Sequence, residues 1–316
     1  MEQKELLFLK PVFRENIWGG DRLAFEFGYE IPGIHTGECL AAGAYPGCEI
    51  RVDRGTYEGV SLENLWKEHR ELFGNYNSQK FPLNVKLLDA QEDLSVQVHP
   101  DEAYAGANEN GANGRTKFWY VLACEENQKM ILGHHARDKA EFKKAVREKR
   151  FEDIFREIPI KKGDFFQIDP GCIHALKKGT MVYEVNEGSE IAYRIYDYDR
   201  MREGKKAELH TAQAIEVTRC PHEDPILTPQ VQKLNHGTVV EYINCPSYRV
   251  IRLELMDGGY DFKETDAFAV ASVVEGSGTL DGVRIRKGNH FIIPYKYGNF
   301  RIEGSLELMI SYPGNP

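Results

Sequence analysis

The stretch Leu94-Ser95-Val96-Gln97-Val98-His99-Pro100 alternates apolar and polar side chains. That period of two belongs to a half-buried β-strand and cannot present one apolar face on a helix. Residues two apart in a strand share a face, so Gln97 and His99 project together while Val96 and Val98 enter a core. An amide and an imidazole side by side are a plausible half of a metal site. The second half has to come from a distant strand. Gly163-Asp164 opens a short apolar run that closes on Pro170-Gly171, with His174 immediately after. Singly, each histidine reads as an ordinary core residue; as a pair, on segments of these two types in this order, they read as a metal site.

Composition narrows the function classes. The 316 residues suffice for two domains or one elaborated one. Hydrophobic residues at 41% and aromatics at 11% supply a core. A formal net charge of −9 argues against nucleic acid or an anionic membrane as the main partner. It leaves room for a small phosphorylated molecule, which needs only a few local cations. The six cysteines (Cys39, Cys48, Cys124, Cys172, Cys220, Cys245) include no Cys-x-x-Cys pair, so they do not form a zinc knuckle. The first ten residues lack the apolar centre of a signal peptide, and no apolar run is long enough to span a membrane. A cytosolic chain with reduced thiols is expected.

Short strands are expected over 7–13, 37–44 and 49–53, with a turn at Asn16-Ile17-Trp18-Gly19-Gly20. Ser61 is a helix N-cap ahead of Leu62, Leu65 and Trp66. A strand over 81–90 contains one odd residue, Lys86, which either snorkels from an edge or faces the site. Residues 101–114, rich in Gly and Asn, read as an exposed loop at the site mouth. Phe118–Ala123 is a buried strand, 140–155 a helix with a solvated charged face, and 164–168, 181–185 and 192–196 are strands. A short helix is expected at 210–217, and strands from 239 to the end. Lys162-Gly163-Asp164-Phe165-Phe166-Gln167-Ile168-Asp169-Pro170 is repeated loosely as Lys287-Gly288-Asn289-His290-Phe291-Ile292-Ile293-Pro294, which implies two β domains of one type. No histidine follows Pro294 as His174 follows Pro170, so the second copy reads as structural, with His290 as packing. The expected division is 1–206 with a helical insertion near 138–157, a helical or irregular connection at 207–238, and a second β domain at 239–316.

The Gly163-Asp164…Pro170-Gly171-x-x-His174 pattern resembles the second motif of cupins, which hold metals with strand side chains. More specifically, Asn16-Ile17-Trp18-Gly19-Gly20, Gly37-Glu38-Cys39, Phe81-Pro82-Leu83-Asn84-Val85-Lys86, Asp93–Glu102, Pro170-Gly171-Cys172-Ile173-His174-Ala175-Leu176 and Tyr193-Arg194-Ile195-Tyr196-Asp197-Tyr198-Asp199-Arg200 resemble type I phosphomannose isomerases, short bacterial form. The match runs in order from about residue 6 to 312. The resemblance implies a mainly β fold of two cupin-like barrel or jelly-roll domains with a small helical insertion. It implies one zinc ion per chain on Gln97, His99 and His174, Arg194 as the catalytic arginine, and interconversion of mannose 6-phosphate and fructose 6-phosphate. A phosphorylated hexose is then the expected partner, with Lys86, Arg115 and Lys117 contacting it, and the chain a monomer or homodimer.

The family's Gly-Lys-Thr-Glu-x-Trp-Tyr segment is Gly114-Arg115-Thr116-Lys117-Phe118-Trp119-Tyr120 here. An ammonium stands where the family has its acidic zinc ligand. Weak or absent metal is expected unless Lys117 swings out or Glu184 or Glu187 replaces the acid. Lys117 could instead occupy the metal's place, or point to solvent after a one-residue slip. A homologue that binds a sugar phosphate without turnover is the alternative function. Arg194 could also merely pin its strand end by pairing with Asp197 or Asp199.

Overall fold

In the computed structural model, which describes residues 5–314 except 46, 188 and 203, the chain is mainly β. Three large sheets dominate, and each is an open run of strands rather than a closed barrel. The first is six-stranded, in the order Phe165–Ile168, Lys117–Ala123, Thr180–Glu187, Leu83–Ala90, Val12–Gly20, Thr36–Ala42. The second is five-stranded: Tyr193–Tyr196, Val96–Val98, His174–Ala175, Lys129–His134, Phe155–Pro159. The third is built from the strands after residue 229, and the strand Leu7–Lys10 joins it by pairing with His290–Ile293.

Alternation decides what each face meets. On the first sheet Val85, Leu87, Phe118, Tyr120, Tyr183 and Val185 turn toward a large apolar cluster shared with Tyr242, Tyr248, Val250, Phe268 and Ile292 of the C-terminal strands. Two buried polar contacts cross the same junction: Tyr183 Oη to Ser311 Oγ at 3.0 Å, and Tyr248 Oη donating to Gln167 at 2.9 Å. The opposite face of the first sheet looks onto the second. Trp18, Leu88, Trp119, Met130, Leu132, Ile168 and Val182 fill one end of the space between them, and polar residues occupy the other. The outer face of the second sheet, with Val96, Val98, Tyr193 and Ile195, is covered by the helices Lys139–Arg147 and Thr211–Val217.

Three expectations change. Asn16–Gly20 is the end of the strand Val12–Gly20, not a turn, and bulges against Thr36–Ala42. The polar segment after Pro100 contains the helix Glu102–Asn108, capped by Asp101, whose carboxylate accepts from Tyr104 N at 2.8 Å. The single helix over 140–155 is two, Lys139–Arg147 and Phe151–Ile154. Lys149 adopts φ +56°, and Arg150 N bonds back to Ala145 O at 2.9 Å, a C-terminal closure that ends the first helix. The helix at Ser61 forms as expected, the hydroxyl accepting from Asn64 N. All six cysteines are free thiols, and no helix among the described residues is long and apolar enough to cross a membrane.

Candidate active site

Strand register places the polar residues. Glu184 lies opposite both Lys86 and Trp119, and Asn186 opposite Asn84 and Lys117. Directly opposed residues share a face, so Lys86, Lys117, Trp119 and Glu184 form one polar patch on the first sheet. The register also excludes a slip that would send Lys117 to solvent: the side chain is 3% exposed. Lys86 is on a strand paired on both sides, so it is not an edge lysine, and it too is buried. On the facing sheet Gln97 is opposite His174 on one side and Arg194 on the other. Arg194, Gln97 and His174 therefore make a row across three strands, and His99 follows two residues beyond Gln97.

Between these patches lies a cavity of about 180 Å³, lined among others by Asn16, Glu38, Lys86, Gln97, Arg115, Lys117, Trp119, Glu184, Glu190 and Arg194. All the sequence-derived site residues converge here, but not all reach the opening. His99 and His174 are buried beneath it and do not line it. Their Nε2 atoms face each other at 3.2 Å. Each Nδ1 meets a backbone carbonyl, of Ile191 at 2.6 Å for His99 and of Cys172 at 3.0 Å for His174. A carbonyl only accepts, so both rings carry their proton on Nδ1 and direct an Nε2 lone pair inward. Burial first, then the charge of Lys117, depresses both imidazoles, His174 to about 3, so neither is protonated near neutrality.

Glu184 is the hub of the opposite wall. Its carboxylate accepts from Trp119 Nε1 at 2.6 Å, Asn186 Nδ2 at 2.7 Å, Lys117 Nζ at 3.2 Å and Arg115 at 3.3 Å. Those four donors occupy the acceptor positions a carboxylate has. Burial opposes the charge, but Lys117, Arg115 and Lys86 outweigh it and hold Glu184 well below the usual carboxylate range. Lys117 is pulled down to about 8, by burial and then by Arg115, against the attraction of Glu184. Lys86 pairs with Glu190 at 2.9 Å. Arg115 leaves its Nε without a partner, and so does Asn16 its Nδ2. Arg194 has no carboxylate partner among the described residues, because Asp197 takes Arg200 and Asp199 takes Lys206. Glu187, on the opposite face of its strand, does not line the cavity; burial raises its carboxyl and Ser247 bonds it.

The facing imidazoles suit a metal ion, but the rest of the set does not. Gln97, His99 and His174 are neutral, Glu184 is saturated, and no three His, Cys, Asp or Glu side chains among the described residues form a metal-binding group. Lys86, Arg115, Lys117 and Arg194 outnumber Glu38, Glu184 and Glu190 by one, so a divalent ion meets net positive charge. A net unit charge about 4 Å away repels such an ion by roughly 8 kcal/mol at an effective dielectric near 20. The residues present do not fit a resident divalent cation.

Sequence reading missed Asn16, Glu38 and Glu190 as cavity residues, although the first two lie inside recognised motifs. Glu190 follows its strand in a connection that no periodicity marks. Trp119 read as core; its indole N–H on Glu184 was not foreseeable from spacing.

A two-sheet β unit enclosing a cavity lined by cations, followed by a second β unit, marks the chain as a two-domain β protein with one polar site. Comparison with known proteins narrows it. Residues 6–148 match the model of the phosphomannose isomerase type I catalytic domain, and residues 239–313 that of the mannose-6-phosphate isomerase cupin domain. The probable mannose-6-phosphate isomerase GmuF of Bacillus subtilis is 43% identical over 97% of this chain and 99% of its own. The mannose-6-phosphate isomerase ManA of the same organism is 39% identical over 98% of this chain and 99% of its own. A crystal structure of mannose 6-phosphate isomerase from Bacillus subtilis superposes with a TM-score of 0.93 at 41% identity, covering 97% of this chain and 99% of that one. The chain belongs to the type I phosphomannose isomerase family.

Proposed function

We propose that this chain is an aldose–ketose isomerase that interconverts mannose 6-phosphate and fructose 6-phosphate. The observation that carries this reading is Arg194, a guanidinium on the cavity wall with no carboxylate partner among the described residues. A cavity-wall arginine without a carboxylate partner suits an oxyanion, and its planar fork matches phosphate. The names and full-length similarity of the relatives support the same substrate.

The reaction moves a proton between C1 and C2 of the open-chain sugar through an enediol. It needs a base at that carbon and positive charge on the oxygens. Glu184 is too well solvated by its four donors to serve as the base. Glu38 and Glu190 are the remaining carboxylates on the wall. The base takes the proton from C2, the electron pair forms C1=C2, and the negative charge passes to O1 near Lys117 and Arg115. The O2 proton moves to O1, and the carbon-bound proton returns at C1. Zinc, which the family resemblance implies, is not carried into this reading, because the donor set does not fit it.

The saturated Lys117–Glu184 pair favours a second reading, a protein that binds the sugar phosphate without turnover. Calorimetric titration with mannose 6-phosphate, run beside a coupled assay for fructose 6-phosphate, separates the two. Binding with turnover supports the isomerase; binding alone supports the sensor. Absence of binding removes both.

A further inference from the structure

We propose that the Lys117 ammonium occupies the role that a divalent cation plays in a metal-dependent site of this layout, and that this chain holds sugar oxygens on Lys117 without a metal ion. This deepens the isomerase reading and rests on its substrate, but not on turnover.

Four observations converge. The ammonium is 3% exposed yet lines the cavity. It has three N–H donors, and its hydrogen-bond partner among the described residues is Glu184 alone, at 3.2 Å. Two donors are therefore uncommitted at a buried position, where an unmet polar group is costly. The carboxylate that could have ligated a metal is instead spent on fixing this ammonium, with Trp119, Asn186 and Arg115 holding its other positions. Finally, the two Nε2 lone pairs that face each other at 3.2 Å call for positive charge nearby.

In this arrangement Lys117 donates to O1 or O2 of the open-chain sugar. As base removes the carbon-bound proton, charge accumulates on that oxygen and the N–H contact tightens. No proton leaves the ammonium and no oxidant or reductant is required; the net change is one hydrogen moved from C2 to C1 and one proton moved from O2 to O1.

The test measures metal per chain by plasma mass spectrometry, before and after incubation with zinc chloride and gel filtration. It also measures mannose 6-phosphate affinity for wild type, Lys117→Met and Lys117→Gln, with circular dichroism confirming that each variant is folded. Wild type is expected to carry well under one metal ion per chain and to keep its affinity after dialysis against a chelator. Lys117→Met and Lys117→Gln should each weaken affinity at least about tenfold, as loss of a charged hydrogen bond does. Lys117→Glu should gain close to one zinc ion per chain. If wild type retains one zinc ion through gel filtration, the proposal is wrong. It is equally wrong if both neutral variants bind the sugar phosphate as wild type does. Metal-free wild type that binds through Lys117 but never forms fructose 6-phosphate overturns the isomerase reading and leaves this one standing.

Discussion

The two β units use one local device to different ends. Lys162-Gly163 and Lys287-Gly288 each make a turn with the glycine at φ +90° and +87°, and each leads into a four-residue strand, Phe165–Ile168 and His290–Ile293. After the second strand comes Pro294, and the interior there is apolar: Leu253, Val273, Phe291, Ile302, Leu308 and their neighbours. After the first come Pro170, Gly171 and His174, and the space beyond holds Lys86, Lys117, Arg115 and Glu184, all buried. Even the buried histidines differ. His290 bonds Ser272 at 2.8 Å and Tyr29 at 2.6 Å, so both its ring nitrogens are engaged by neighbours. His174 directs a lone pair inward. A shared scaffold thus becomes a site only where buried charge replaces buried hydrocarbon, and the C-terminal unit shows what the same unit looks like without that exchange.

If that contrast is sound, the N-terminal interior is sensitive to charge and the C-terminal one to volume and solvation. Glu184→Ala has the largest expected effect: it strands the buried Lys117, leaves Arg115 with Glu190 alone at 3.7 Å, and should cost about 3–5 kcal/mol, read by urea unfolding. It should also abolish sugar-phosphate binding. Next comes pH. His290 has a folded pKa of about 3, lowered by burial, against roughly 6.5 unfolded. Its contribution is complete above pH 6.5 and is lost as pH falls toward 3. Between pH 8 and pH 5 wild type should lose about 2 kcal/mol more than His290→Gln does. A smaller effect is expected for Phe291→Leu, about 1 kcal/mol of stability with affinity for mannose 6-phosphate unchanged. A change in affinity would show that the two interiors are coupled. Smallest is Arg301→Ala on the exposed C-terminal surface, where solvent screens the pairs with Asp261 and Glu303 and the urea midpoint should not move measurably.

Much of this was legible in the residues. Strands 83–90, 96–98, 117–123 and 180–187 follow from alternation or from buried apolar runs, because a half-buried sheet imposes that pattern. The paired motifs lead one to expect Gln97 and His174 to come together, but not that they sit directly opposite each other on adjacent strands. The helix after Pro100 was obscured by its glycines and asparagines, although Asp101 followed by Glu102-Ala103-Tyr104-Ala105 is a capped start. The break at Lys149 depends on one non-glycine residue in a left-handed conformation, which composition does not announce. Most hidden was the saturation of Glu184. It takes donors from two separate segments, Arg115, Lys117 and Trp119 on one and Asn186 on the other, and only their joint arrival shows that the carboxylate is committed.

The most direct check of the central claim is proton magnetic resonance of mannose 6-phosphate incubated with the protein in deuterium oxide. The expected result is the appearance of fructose 6-phosphate, lost at least about a hundredfold in Lys117→Met. Unchanged sugar resonances with wild-type protein at high concentration, or equal conversion by wild type and Lys117→Met, would contradict it.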